Sequence, residues 1–191
     1  MNTPTFRVSY PTVFAPEKNA LNGDMEYSLV AIFPVGTDLS DMKLAAKTAA
    51  EKKWGLDPSK WPLNLKKPFR PCKERWKFVD GKQIVPAGYE DGEAMFATFK
   101  QKADKGQPQI VDREVNPIRE SQYFYAGCHA IASVRAYAYD NMGNKGVAFG
   151  LGNVQKVDDG VPLGGGRTLA TNDFSPVGEA MGKESAESLF S

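Results

Sequence analysis

Residues 128–140 read Cys128-His129-Ala130-Ile131-Ala132-Ser133-Val134-Arg135-Ala136-Tyr137-Ala138-Tyr139-Asp140. Successive side chains of a strand point to opposite faces. One face is then Cys128, Ala130, Ala132, Val134, Ala136 and Ala138, all small or apolar. The other carries His129, Ile131, Ser133, Arg135, Tyr137 and Tyr139. A period of two held over this length marks a half-buried strand, and the small apolar face suits the inside of a tight barrel. The same alternation also fits the inverse arrangement, with the tyrosines in the core and the alanines outside beneath a helix.

Further elements follow on both sides. Asn141 to Lys145 reads as a turn, and Gly146 to Val157 as the last strand. Phe6 to Phe14 alternates, with Phe6, Val8 and Tyr10 expected on one face and Pro11 marking an edge or a bend. Asn22-Gly23-Asp24 is a turn signal. Met25 to Phe33 follows as a strand with Tyr27, Leu29, Ala31 and Phe33 on one face. Met95 to Lys100 is a short strand that places Phe96 and Phe99 on opposite faces, so at most one of them meets a ligand. Asp38 to Trp54 reads as a helix: Asp38 is positioned to cap it, Leu39, Met42, Ala45, Ala46, Ala49 and Ala50 recur at helical spacing, and Gly55 stops it. Residues 55–94 hold five prolines among lysines, arginines and aromatics, too long a stretch for an ordinary connection.

The expected fold is therefore mainly β (α+β). It is a five-stranded OB-like Greek-key barrel with a helix and a long basic loop, about residues 36–94, inserted between strands two and three. A half-open β-sandwich fits nearly as well. Strict βαβ alternation is missing, which argues against a doubly wound sheet. Residues 1–157 form the expected domain and 158–191 a flexible, mildly acidic C-terminal tail.

The chain has 191 residues, 41% of them hydrophobic, enough for one domain with a real core. No apolar run approaches the ~20 residues of a membrane span, and Met1-Asn2-Thr3-Pro4 does not open a signal peptide. Two cysteines far apart, Cys72 and Cys128, fit reduced thiols in a cytosol. The net charge of +1 conceals an asymmetry. From Lys43 to Lys82 twelve basic residues face four acidic ones, while from Asp158 to Ser191 two basic residues face six acidic ones. A basic middle suits a polyanion, with an acidic end that competes for it. Charge alone fits a solvated face beside an unrelated tail equally well.

Enzyme chemistry finds no support in the residue pattern. His129 is the single histidine, and Cys128 beside it points to the opposite face, so the two cannot form a simple catalytic pair. One His and two distant Cys make no zinc site. Gly150-Leu151-Gly152 and Gly164-Gly165-Gly166 lack the Lys-Ser/Thr of a phosphate loop. Asp140, Asp158 and Asp159 read as turn aspartates rather than a metal set. No cofactor is expected. What remains is cationic and aromatic, the two ingredients that hold single-stranded nucleic acid: charge along the phosphates and rings stacked on bases. Lys66, Lys67, Phe69, Arg70, Lys73, Arg75, Trp76 and Lys77 supply both in the loop. Arg135, Tyr137 and Tyr139 supply both on one strand face. Lys100, on its short strand, adds a further cation. Trp54 and Trp61 read as anchors of helix and loop to the core.

Several stretches together carry a resemblance: Pro11-Thr12-Val13-Phe14, Val111-Asp112-Arg113, Tyr125-Ala126-Gly127-Cys128, the run from Ala136 to Val157, and Leu163-Gly164-Gly165-Gly166-Arg167. The chain resembles a family of tailed-phage OB-fold single-stranded-DNA-binding proteins, formerly a domain of unknown function, over nearly its whole length. The resemblance implies an accessory of replication or recombination that coats single strands in the cytoplasm of the infected bacterium. It implies Arg113, Arg135, Tyr137, Tyr139 and Lys145 as DNA-facing positions. It also implies an acidic C-terminal tail that contacts phage or host replication proteins, whereas residues 183–191 here carry only Glu184 and Glu187. Two rivals remain: a structural or protein-interaction module of a phage particle or assembly pathway, and a metal-dependent nuclease with clustered carboxylates.

Overall fold

The computed structural model describes residues 1–164 apart from Leu21 and Met142. The elements run β1 (Phe6–Lys18), β2 (Met25–Phe33), α1 (Ser40–Trp54), β3 (Arg70–Pro71), β4 (Lys77–Val79), β5 (Lys82–Ile84), β6 (Met95–Lys102), β7 (Ile110–Val111), β8 (His129–Asn141) and β9 (Asn144–Asp158). The main sheet has the order β3-β6-β2-β1-β8-β9-β7, and β6 also pairs with β9. That last pairing closes a five-stranded barrel: β1–β2, β2–β6, β9–β8 and β8–β1 are antiparallel, and β6–β9 is parallel. This is the expected OB-type topology, with α1 and the basic loop entering between the second and third barrel strands.

The interior is aromatic at its centre. Phe99 meets Phe6 and Phe149 edge-on at ring-centroid distances of 5.8 and 5.9 Å, and Phe6 meets Phe33 at 5.8 Å. Cys128, Ala130, Ala132 and Val134 are buried in the same cluster, with Ala136 and Ala138 packed against it. The alanine face of β8 is thus the inner one, and Tyr137 and Tyr139 point out. Met42, Ala46 and Ala50 of α1 are buried in this core. The helix starts two residues later than its sequence signals. Asp38 does not cap it; its carboxylate accepts the Ser40 N–H at 2.9 Å in the turn before, while Leu39 stands at the cap position. Trp54 and Trp61 lie against the core with rings 6.4 Å apart, and Trp61 Nε1 donates to the Gly55 carbonyl.

A second cluster of Val30, Ile32, Cys72, Tyr89, Ala94 and Phe96 covers the outer side of β2 and β6. Phe96 and Phe99 are both buried, so neither is free to meet a ligand, and Phe69 is also core. Tyr10 departs from the expected alternation. The β1–β2 register shifts between Ser9 and Thr12, and Tyr10 has φ 43°, so its ring leaves the Phe6/Val8 face. Left-handed backbone at a tyrosine costs about 1–2 kcal/mol. Residues 77–84 form a projecting two-stranded hairpin around Asp80 (φ 50°) and Gly81 (φ 73°), the paired positive φ values of a two-residue turn. After β9 the chain stays on the barrel: Arg7 donates to the Val161 carbonyl and Leu163 N–H to that of Ala126, both at 2.8 Å. The expected tail beyond residue 164 lies outside the described residues.

Both thiols are buried, and burial pushes each up to about 11. A thiolate is the reactive form. Neither cysteine of the native protein is therefore expected to react with iodoacetamide at neutral pH within minutes, while both react in denaturant. Fast native alkylation counted by mass spectrometry would contradict this packing.

Candidate nucleic-acid interface

The outer side of the barrel is set by register. Even-numbered β6 residues Thr98, Lys100 and Lys102 face out beside Val30, Ser28 and Glu26 of β2. The parallel pairing sets Lys100 opposite Gly150 of β9, and the β8–β9 ladder sets Arg135 opposite Gly150, Tyr137 opposite Ala148 and Tyr139 opposite Gly146. Residues two apart on a strand are ~6.5–7 Å apart, so Arg135, Tyr137 and Tyr139 form a row. The two phenol rings lie 6.3 Å apart.

A groove of about 550 Å³ lies beside the Arg135 and Tyr137 end of this row, walled by Lys100, Lys102, Lys105, Arg135 and Tyr137, with Gly150 and Gly152 in its lining. Gly150 leaves backbone where a side chain would fill the groove, an added Cβ there finding nothing closer than 3.6 Å, whereas one at Gly152 would strike Ser133. Arg135 is exposed and makes no ion pair among the described residues. Lys100 and Lys102 are paired at 2.8 and 2.7 Å with Glu26 and Asp24. The Asp24 carboxylate, through its hydrogen bond above all, holds the Lys102 ammonium above its ordinary value. Burial pushes the phenols of Tyr137 and Tyr139 up, so both rings stay neutral near pH 7.

The basic loop reaches the far end of the row. Lys66 N–H donates to the Lys145 carbonyl and the Val147 N–H to that of Lys66, which seats this segment against Gly146 and the Tyr139 hydroxyl. Lys66 and Lys67 are exposed. Lys145 pairs with Asp140 at 3.1 Å. The Arg70 guanidinium stacks 4.6 Å over the Phe96 ring and pairs with Glu74 at 3.8 Å.

The structure thus brings Lys66, Arg70, Lys100, Arg135, Tyr137 and Tyr139 onto one face, with Lys67 adjoining Lys66; Lys145, opposite Asp140, has the parity of the alanine side and stands at the end of the β8–β9 ladder rather than in this row. Arg75 continues it, 4.8 Å over the same Phe96 ring. Trp76 is half-buried: its Nε1 donates to the Tyr89 carbonyl at 2.8 Å and its ring packs on Gly92. Lys77 sits on the projecting hairpin. Arg113 lies in the turn after β7, where its carbonyl accepts from Gln155, away from the groove. Lys102 and Lys105 were not singled out by sequence; Lys102 has the parity of Lys100, a signal available once β6 is extended by two residues. Among the described residues no group of three His, Cys, Asp or Glu is placed to hold a metal ion, and no helix is long and apolar enough to cross a membrane.

A closed five-stranded barrel with an aromatic and cationic outer groove defines an OB-type binding protein. Residues 1–187 match the model of a family described as Enterobacter phage Enc34, ssDNA-binding protein, and the chain belongs to that family. The protein p50 of Acyrthosiphon pisum secondary endosymbiont phage 1 is 28% identical over 183 residues, covering 93% of this chain and 94% of p50. The fold is similar to that of the single-stranded DNA-binding protein of bacteriophage Enc34 in complex with ssDNA, with TM-score 0.63 and 18% identity over 85% of this chain and 88% of that one. It is also similar to gp2.5, a single-stranded DNA-binding protein encoded by bacteriophage T7, with TM-score 0.53 and 14% identity over 84% and 92% of the two chains.

Proposed function

We propose that this protein binds single-stranded DNA without sequence preference, protects it during phage DNA replication and recombination in the cytoplasm of the infected bacterium, and catalyses no reaction. The carrying observation is the outer face: two neutral tyrosine rings in a row, unpaired Arg135 beside them, and further cations along β6 and the basic loop. Rings stack on any base, and cations follow the phosphates, so neither reads sequence. The expected binding domain, residues 1–157, is extended by the segment 158–164 that stays on the barrel, and the remainder of the expected tail, residues 165–191, serves toward other replication proteins.

The first test is titration of the protein into fluorescent oligo-dT and a matched duplex at two salt concentrations. Expected is tighter binding to the single strand that weakens as salt rises, the mark of counterion release. Absence of binding at low salt, with and without residues 165–191, would sink the proposal and favour an assembly role.

Glu26 provides a second test. Its carboxylate lies in the groove, held by Lys100 and by Asn19 Nδ2 at 2.8 Å each, where it opposes an incoming phosphate. Glu26→Gln is expected to tighten oligo-dT binding several-fold and to free Lys100 for phosphate. Weaker binding by the variant would mean that Glu26 serves chiefly to position Lys100.

A further inference from the structure

The outer face continues past Arg70. The register shift in β1 falls after Ser9, which still pairs with Val30, so Tyr10 and Pro11 together stand opposite the single residue Leu29: Ser9 is buried and its hydroxyl meets the Tyr89 hydroxyl, while Tyr10 projects outward. Bulges re-aim side chains in this way. Tyr10 holds a left-handed φ of 43° and remains 56% exposed, one side of its ring turned toward Tyr89 at 6.5 Å and the rest open to solvent. Beneath it lies Arg75, whose guanidinium is 6.0 Å from the Tyr10 ring, 5.9 Å from Tyr89 and 4.8 Å from Phe96. Arg75 Nε is buried without a hydrogen-bond partner, and the guanidinium makes no ion pair among the described residues. An exposed aromatic ring stacked near an uncompensated cation has the chemistry to take a base together with its phosphate.

Position decides what occupies it. Phe96 lies on the same face of the same strand as Lys102, six residues away, or ~20 Å at strand rise. Arg70 and Arg75 share the Phe96 ring, and Arg75 reaches the Tyr10 ring, so cations lead from the outer face toward Tyr10. We infer that Tyr10, seated on Arg75, is an additional base-stacking subsite that takes a nucleotide of the single strand beyond the groove. This rests on the reading of the protein as a single-stranded-DNA binder.

The test compares wild type with Tyr10→Gly and Tyr10→Trp on oligo-dT of increasing length, from about 4 to about 16 nucleotides. Glycine suits a left-handed backbone, so the first variant keeps the β1 bulge. Expected is equal affinity on strands that fill only the groove, a deficit of at least about fivefold for Tyr10→Gly on strands long enough to reach residue 10, and recovery in Tyr10→Trp. Identical curves at every length, or a loss that is the same at every length, would overturn the inference while the wild-type titration still upholds DNA binding. Failure of wild type to bind any strand would instead overturn the reading on which the inference rests.

Discussion

The double substitution Tyr137→Ala and Tyr139→Ala is expected to weaken binding to oligo-dT on the order of a hundredfold. A base stacked on an aromatic side chain contributes ~1–3 kcal/mol, and a hundredfold corresponds to about 2.7 kcal/mol. The rings are 6.3 Å apart and share one path, so their contributions are coupled and the double variant is the informative one. The fold should survive. Tyr137 is 43% exposed and neither ring belongs to the interior cluster, so the melting temperature should move by only a few degrees. Phenylalanine at both positions should retain most of the affinity, because stacking uses the ring and not the hydroxyl. A folded double-alanine protein that binds as wild type does would remove the β8 row from the interface.

Phe99→Ala is expected to have the largest effect on stability, about 3–5 kcal/mol. Its ring is fully buried and touches Phe6 and Phe149 edge-on. It stands where the parallel β6–β9 pairing closes the barrel, directly opposite Phe149. Truncation removes the transfer free energy of the ring and leaves a cavity among aromatic neighbours, whose shape resists collapse. For a chain of this size the loss corresponds to roughly 6–20 °C in Tm. Thermal or urea unfolding checks it; a shift of a degree or two would mean that the barrel closes elsewhere. Phe99→Leu, which refills much of the volume, should recover a good part of the loss.

Much of the barrel is written in short-range patterns. β8 carries its period of two because its alanine face packs on the core, fully through Val134 and in part at Ala136 and Ala138, and the Gly55 stop of α1 follows from backbone freedom alone. The features that escaped depend on partners far along the chain. The groove exists because β6 and β9 run parallel, and nothing in Met95 to Lys102 announces a neighbour about fifty residues later; Lys102 and Lys105 therefore carry no short-range signal. The β1 bulge escaped because a tyrosine rarely accepts positive φ, and alternation offered Tyr10 the wrong face. The hairpin at 77–84 was legible in principle from Asp80-Gly81, but its strands are short and exposed and carry no alternation to read. Trp76 looked available among cations, whereas its ring and Nε1 are both held by the segment around Tyr89 and Gly92.

The seam between β1 and β8 has a consequence for synthesis on the ribosome. Val8 N–H donates to the carbonyl of Cys128, and Thr3 N–H to that of Ala132. Chains elongate at ~5–20 residues per second, so β1 leaves the ribosome roughly 6–25 s before its partner does. During that interval β1 can pair with β2, but its other edge stays open and Phe6 waits for its β8 partner Ala130. The barrel therefore closes late, after β8 and β9 have emerged, and its closing step carries the slow, non-local kinetics of sheet proteins. Translation that pauses before residue 128 would prolong a state with an open sheet edge, the form of the nascent chain most prone to pair with another copy.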